Sequence, residues 1–125
     1  MSRSIKTPGP DHPIDIDPAG GVYEAVCSGR VIARSERALL LREASSPPVV
    51  YFPREDVTMA MFDRSSTSTW CPYKGEASYV TLRAAGENAS AIADAGWSYE
   101  TPLPAMSQIA GHIAFYPSKV TVRAV

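Results

Sequence analysis

The sequence predicts a mainly β protein, an antiparallel sandwich or open barrel, on three observations. Apolar residues recur with a period of two in several short stretches, as they do in half-buried strands. Turn formers punctuate the chain throughout, with 11 prolines and 8 glycines. Only one stretch has convincing helical spacing, and many short strands with frequent turns are the mark of sandwich or barrel architecture. A length of 125 residues suits one domain with one core. A composition of 45% hydrophobic and 20% charged residues is that of a globular chain rather than a disordered one.

Residues 1–21 hold Pro8, Pro10, Pro13 and Pro18 with Gly9, Gly20 and Gly21, which fix φ angles and remove ladder donors, so this segment is expected to be an extended arm. The remaining residues, 22–125, form the expected domain. Val22 to Cys27 alternates as a strand, Ser28-Gly29 supplies a tight turn, and Arg30 to Ala33 returns to close a hairpin. Ala38 to Leu41 is read as a strand, and Val49-Val50-Tyr51-Phe52, rich in β-branched and aromatic residues, as another that Pro53 stops. Val57, Met59 and Met61 share a face if 57–62 is extended. Asp63 to Ser66 reads as a loop and Thr67 to Trp70 as a brief strand, with Tyr73 to Gly75 turning the corner after Cys71-Pro72. Ala77, Tyr79, Thr81 and Arg83 alternate with Ser78, Val80 and Leu82 in the clearest two-sided strand, and Ala89 to Ala95 extends back toward Trp97. Pro104 to Gly111 is the helix candidate, with proline in its first turn and glycine at its end. Ile113 to Tyr116 and Val120 to Val122 flank Pro117-Ser118-Lys119 as a closing β segment.

The charge balance narrows the choice of partners. Twelve basic and 13 acidic residues leave a formal net charge of −1, with no run of one sign to hold a phosphate backbone, so nucleic acid is not an expected partner. Met1-Ser2-Arg3-Ser4-Ile5-Lys6 is followed by no apolar targeting core, and no stretch approaches the roughly 18 apolar residues of a membrane span. A cytoplasmic protein without a membrane partner is expected. Cys27 and Cys71, the only two cysteines, point to a reduced compartment rather than a disulfide scaffold.

The chemistry-bearing candidates sit in three places. Cys71 could act as a nucleophile, with Lys74 brought near by the turn to favour the thiolate; the opposing reading is a small buried hydrophobe at a strand end. A base for it is not placed by any motif, since His12 lies in the arm and His112 near the helix candidate. Lys74-Gly75 could instead grip an anion, the glycine letting backbone N–H groups approach, or simply form a surface turn. Phe52-Pro53-Arg54-Glu55-Asp56 follows a strand, where Arg54 could clamp a carboxylate and Glu55 or Asp56 could carry a proton; a capped turn with solvated charges is the alternative. Tyr73, Tyr79, Trp97, Tyr99, Trp70 and Tyr116 supply rings with polar tips, suited to a pocket or a core, with Tyr73 and Trp97 favoured for the pocket and Trp70 and Tyr116 for the core. No Cys-x-x-Cys pair exists, so no metal or other cofactor is expected.

Taken together, Pro8 to Ile14, Tyr51 to Val57, Cys71-Pro72-Tyr73-Lys74-Gly75 with Ala77 and Tyr79, Ala95 to Tyr99, and Ile109-Ala110-Gly111 with Ala114-Phe115-Tyr116 resemble a bacterial domain of unknown function, number 427 in the DUF series. The resemblance implies a β-tent-like fold of two antiparallel sheets packed at a steep angle, to which the residue pattern adds one short helix near 104–111. Related tents carry zinc on paired cysteines, and Cys71-Pro72-Tyr73-Lys74 resembles such a knuckle with Lys74 in place of its second cysteine.

The expected function is binding of an unidentified small molecule in an aromatic-lined pocket. Arg54 and Lys74 would recognise an anionic or hydroxyl-rich group, with Tyr73, Gly75, Tyr79, Trp97 and Tyr99 around it. An enzyme using Cys71 or Lys74, with Glu55 or Asp56 as proton carrier, and a protein–protein interaction module are the alternatives. The sequence gives no oligomeric state.

Overall fold

The computed structural model describes residues 3–125; Met1 and Ser2, at the head of the arm read over 1–21, lie outside the described residues. Ten strands run along the described residues: β1 (Ile14–Pro18), β2 (Tyr23–Cys27), β3 (Arg30–Ser35), β4 (Leu39–Glu43), β5 (Val49–Tyr51), β6 (Phe62–Cys71), β7 (Gly75–Leu82), β8 (Ile92–Ser98), β9 (Ala114–Phe115) and β10 (Thr121–Ala124). The mainly β architecture is as the sequence predicts. The strands form three antiparallel sheets, in the orders β1-β4-β5, β10-β2-β3 and β6-β7-β8-β9, where the resemblance implies two. No helix among the described residues is long and apolar enough to cross a membrane.

Local chemistry accounts for the elements that the pattern reads well. Ser28 and Gly29 both take positive φ, +52° and +76°, the geometry of a two-residue turn whose twist matches that of its strands. The 22–27 and 30–33 stretches therefore close as the β2–β3 hairpin. Within the arm, Ile14 to Pro18 pairs as β1 along β4, from Ile14 opposite Glu43 to Pro18 opposite Leu39. Proline is tolerated there because β1 lies at the edge of its sheet.

Four local readings change. Residues 57–61 are not a strand: Arg54–Asp56 and Met59–Met61 are single 3₁₀ turns, and Val57, buried in the first core cluster, pairs with the β framework through an isolated bridge to Ala33. Asp63 to Ser66 belongs to β6 rather than to a loop, its pairing with β7 interrupted between Arg64 and Ser68. Pro104–Ile109 winds as 3₁₀ turns, not an α-helix, because Met106 (φ −111°, ψ 18°) leaves helical geometry in the middle. The final two strands do not close on each other, since β9 pairs with β8 and β10 with β2.

The interior divides into two clusters. Ile32, Phe52, Phe62, Leu82, Ile113 and Phe115 centre the first, with Phe52 and Ile113 fully buried and linked by a bridge. Burying one such large side chain is worth about 1.5–3 kcal/mol. Leu41, Tyr51, Tyr79, Tyr99, Met106 and Ile109 centre the second, which lies between the β1-β4-β5 and β6-β7-β8-β9 sheets. Three of its eight buried members are tyrosines, an unusual load of hydroxyl groups for a core.

Candidate functional site

Strand register explains why polar groups gather in the second cluster. In β4 and β5, Leu41 stands opposite Val49 and Leu39 opposite Tyr51. Alternation therefore puts Leu39, Leu41, Glu43, Val49 and Tyr51 on one face. On the facing sheet Cys71 stands opposite Gly75, Thr69 opposite Ala77, and Tyr79 opposite Trp97, which places Cys71, Thr69, Ala77, Tyr79 and Trp97 on one face as well. These two faces meet in the cluster, and between them lies a hollow of about 210 Å³. Glu43, Tyr51, Lys74, Tyr79, Trp97 and Tyr99 are among its walls, together with Tyr116 and the Ser46-Pro47 loop.

An ion pair sits in this wall. Lys74 Nζ donates to Glu43 Oε1, with side chains only 10% and 20% exposed. Cys71 Sγ lies 3.8 Å from the same Nζ, and Glu43 Oε2 lies 2.7 Å from His12 Nε2. Burial pushes the Glu43 carboxyl upward, but hydrogen bonds from Lys74 and His12 outweigh it and hold the group below the ordinary carboxylate range. The carboxylate is thus ionised and shared between two donors.

The aromatic walls are ordered by their own contacts. Trp97 Nε1 donates to Tyr51 Oη at 3.2 Å, its ring is edge-on to Tyr51, and it lies against Tyr116 with centroids 4.6 Å apart. Tyr79 Oη is 2.8 Å from Thr69 Oγ1 and accepts from Tyr116 Oη at 3.4 Å. Burial pushes the Tyr116 phenol up to about 12, with the Tyr79 contact adding to it. Burial likewise raises Tyr51 and Tyr99 well above the ordinary phenol value. Tyr99 is only 7% exposed as a residue, and its Oη, which has no protein hydrogen-bond partner among the described residues, is not among the fully buried orphaned atoms, which are Arg30 Nε and Ser98 Oγ. Tyr51 Oη only accepts, so its own O–H and that of Tyr99 both face the hollow without a protein acceptor among the described residues.

Of the residues singled out from the sequence, Lys74, Tyr79, Trp97 and Tyr99 line the hollow and Cys71 stands beside it. Gly75 sits in the hairpin with φ +111°; a Cβ there would lie 3.3 Å from Leu103 N, so its backbone approaches the Pro102-Leu103 segment rather than open space. Tyr73 points elsewhere, stacked on His12 with centroids 4.1 Å apart. Arg54 does not join Lys74: its Nε donates to Gly111 O at 3.2 Å and its Nη2 to Glu100 at 3.3 Å. Glu55 and Asp56 hold Arg37, each at 3.2 Å, and Asp56 also accepts from Ser35 at 2.6 Å. They are not among the contacts of Cys71 or Lys74, where Glu43 stands instead.

Glu43, Tyr51 and Tyr116 are among the wall residues that pattern reading did not assign to a pocket, with Leu41, Val49 and the Ser46-Pro47 loop. Glu43 had a signal: it continues the inward Leu39, Leu41 alternation, and a carboxylate in a buried register needs a partner. Among the described residues, no group of three or more His, Cys, Asp or Glu side chains converges as metal ligands would.

A protein-family model described as a domain of unknown function (DUF427) matches residues 15–125. The chain belongs to the DUF427 family. No curated protein matches it. The span shared with DUF427 contains every wall residue of the hollow and leaves out His12, which reaches Glu43 from the arm.

Proposed function

We propose that this protein binds a small, uncharged, hydroxyl- or amide-bearing molecule in the hollow between the two sheets. The observation that carries the reading is two phenol donors on the walls of the hollow, Tyr51 and Tyr99, whose hydroxyls have no protein acceptor among the described residues. A phenol donor facing a hollow is free to bond a ligand acceptor, a hydrogen bond worth about 0.5–1.5 kcal/mol net. Charge decides between an anionic and a hydroxyl-rich ligand: Glu43 already neutralises Lys74, so the walls offer a balanced pair rather than free positive charge. Donors, one carboxylate and flat rings suit a polar ring or amide better than an anion. A volume of about 210 Å³ is below the roughly 300–1,000 Å³ of drug-sized sites, which points to a metabolite-sized ligand.

The same reading takes the protein to be bacterial and its sheets to be tent-like, on the strength of the family resemblance, and cytoplasmic, since Cys27 and Cys71 are both free thiols. Thermal unfolding with matched sets of uncharged polyols, uncharged amides and small anions tests the ligand class. A melting-temperature rise that grows with the logarithm of concentration is expected for an uncharged set. A rise with anions alone, or none with any set, defeats the reading.

A further inference from the structure

Four side chains from four parts of the chain stand in line at one corner of the hollow. Cys71 ends β6, Lys74 lies in the turn, Glu43 ends β4, and His12 comes from the arm. Register turns Cys71 to the face that also carries Tyr79 and Trp97, beside Lys74 on the wall of the hollow. A sulfur, an ammonium and an ionised carboxylate in succession are the parts of a thiol acyl-transfer centre: a nucleophile, a cation for the developing oxyanion, and a proton acceptor. Tyr99 supplies an independent pointer to a ligand, since it lines the same hollow and its hydroxyl has no protein acceptor among the described residues.

We propose that this corner hydrolyses small uncharged esters or amides, with Cys71 as nucleophile, Lys74 stabilising the oxyanion, Glu43 carrying the proton and Tyr99 donating to a polar group of the substrate. The inference rests on the hollow being a ligand site. In the first step Cys71 Sγ bonds to the acyl carbon, and its proton passes through Lys74 to Glu43 as Lys74 gives one and takes one. The carbon–oxygen or carbon–nitrogen bond then breaks, and that proton leaves with the alcohol or amine. In the second step water attacks the thioester and gives a proton to Glu43, the carbon–sulfur bond breaks, and the sulfur regains its proton through Lys74. The sum is one substrate and one water giving an acid and an alcohol or amine, with no change of oxidation state. His12, on the second oxygen of Glu43, is a positioning residue.

The test uses the full chain with p-nitrophenyl acetate, following nitrophenolate release and the mass of acid-quenched protein. The expected result is one acetyl group per chain, mapped to Cys71 and removed by hydroxylamine. Turnover should fall on the order of 100-fold in Cys71→Ser and at least tenfold in Glu43→Gln, and should stay unchanged in Cys27→Ser, the internal thiol control. Acetylation of Cys71 no faster than in the urea-unfolded chain overturns the proposal without relying on any variant. So does turnover that survives Cys71→Ser. If uncharged ligands raise the melting temperature of both wild type and Cys71→Ser while no acyl-enzyme forms, binding stands and catalysis falls; if neither signal appears, both fall.

Discussion

Replacing Lys74 by methionine isolates the energetics of the charged corner. The substitution nearly preserves volume, so packing loss is small, but it removes the principal donor to a carboxylate only 20% exposed. Breaking a fully buried pair costs roughly 3–5 kcal/mol. Glu43 keeps His12 and some water contact, so the expected loss is about 2 kcal/mol, equivalent to about 6–10 °C in melting temperature for a chain of this size. Glu43→Leu should cost a similar amount, by stranding the ammonium. The double variant Lys74→Met/Glu43→Leu, with neither charge left, should lie within about 1 kcal/mol of wild type. Urea unfolding with linear extrapolation reads all four corners of this cycle, provided the slope is constant.

Acid supplies an internal control. A carboxyl held below its ordinary value contributes stability that is full above that ordinary value, and loses it as pH falls through the folded-state value. The gap between wild type and Lys74→Met should therefore be widest above about pH 5 and narrow in acid. Losses in the double variant equal to the sum of the singles would refute the coupling, and with it the description of the corner as one electrostatic unit.

Two further outcomes follow from the packing. In a spectrophotometric titration at pH 11, Tyr51, Tyr99 and Tyr116 should remain protonated; because the folded chain then holds protons that the unfolded chain releases, stability should fall as pH rises between about 10 and 12. Ionisation of all six tyrosines near pH 10 in the folded protein would contradict the burial. Gly96→Ala should destabilise by about 1–3 kcal/mol, because a Cβ there would lie 2.8 Å from Ala114 O and must push β9 off β8; an unchanged urea midpoint would show that this strand pair yields freely.

Much of the fold was legible because period-two alternation survives wherever one strand face is buried. The 77–83 pattern places Ala77 and Tyr79 inward, and Tyr79 indeed lines the hollow. Pattern fails where backbone bonds from distant residues decide the outcome. Leu103 N–H donates to Lys74 O at 2.9 Å, tethering the start of the 104–109 segment to the hairpin, and Met106 interrupts the winding two residues into the run. Helical spacing alone could not reveal either. The site was half legible for a related reason. Lys74, Tyr79, Trp97 and Tyr99 carry recognisable chemistry, but which charge meets Lys74 depends on β4 facing the β6–β7 hairpin across the core, a pairing without a local signature. Arg54 was drawn away by its neighbours: the 3₁₀ turn at 54–56 directs it to Gly111 and Glu100.

The arm has a practical consequence. Ser4 accepts from the Trp70 indole, Lys6 is fastened to Pro72, and His12 clasps Tyr73 and Glu43 in the same sweep, so this tail behaves as a finger laid across the hairpin tip. Trimming a clone to the family-matched span would strip Glu43 of one of its two donors and loosen the corner that Lys74 occupies. Affinity handles are better fused at the opposite terminus, and any comparison of shortened with full-length protein becomes a measurement of what that finger holds in place.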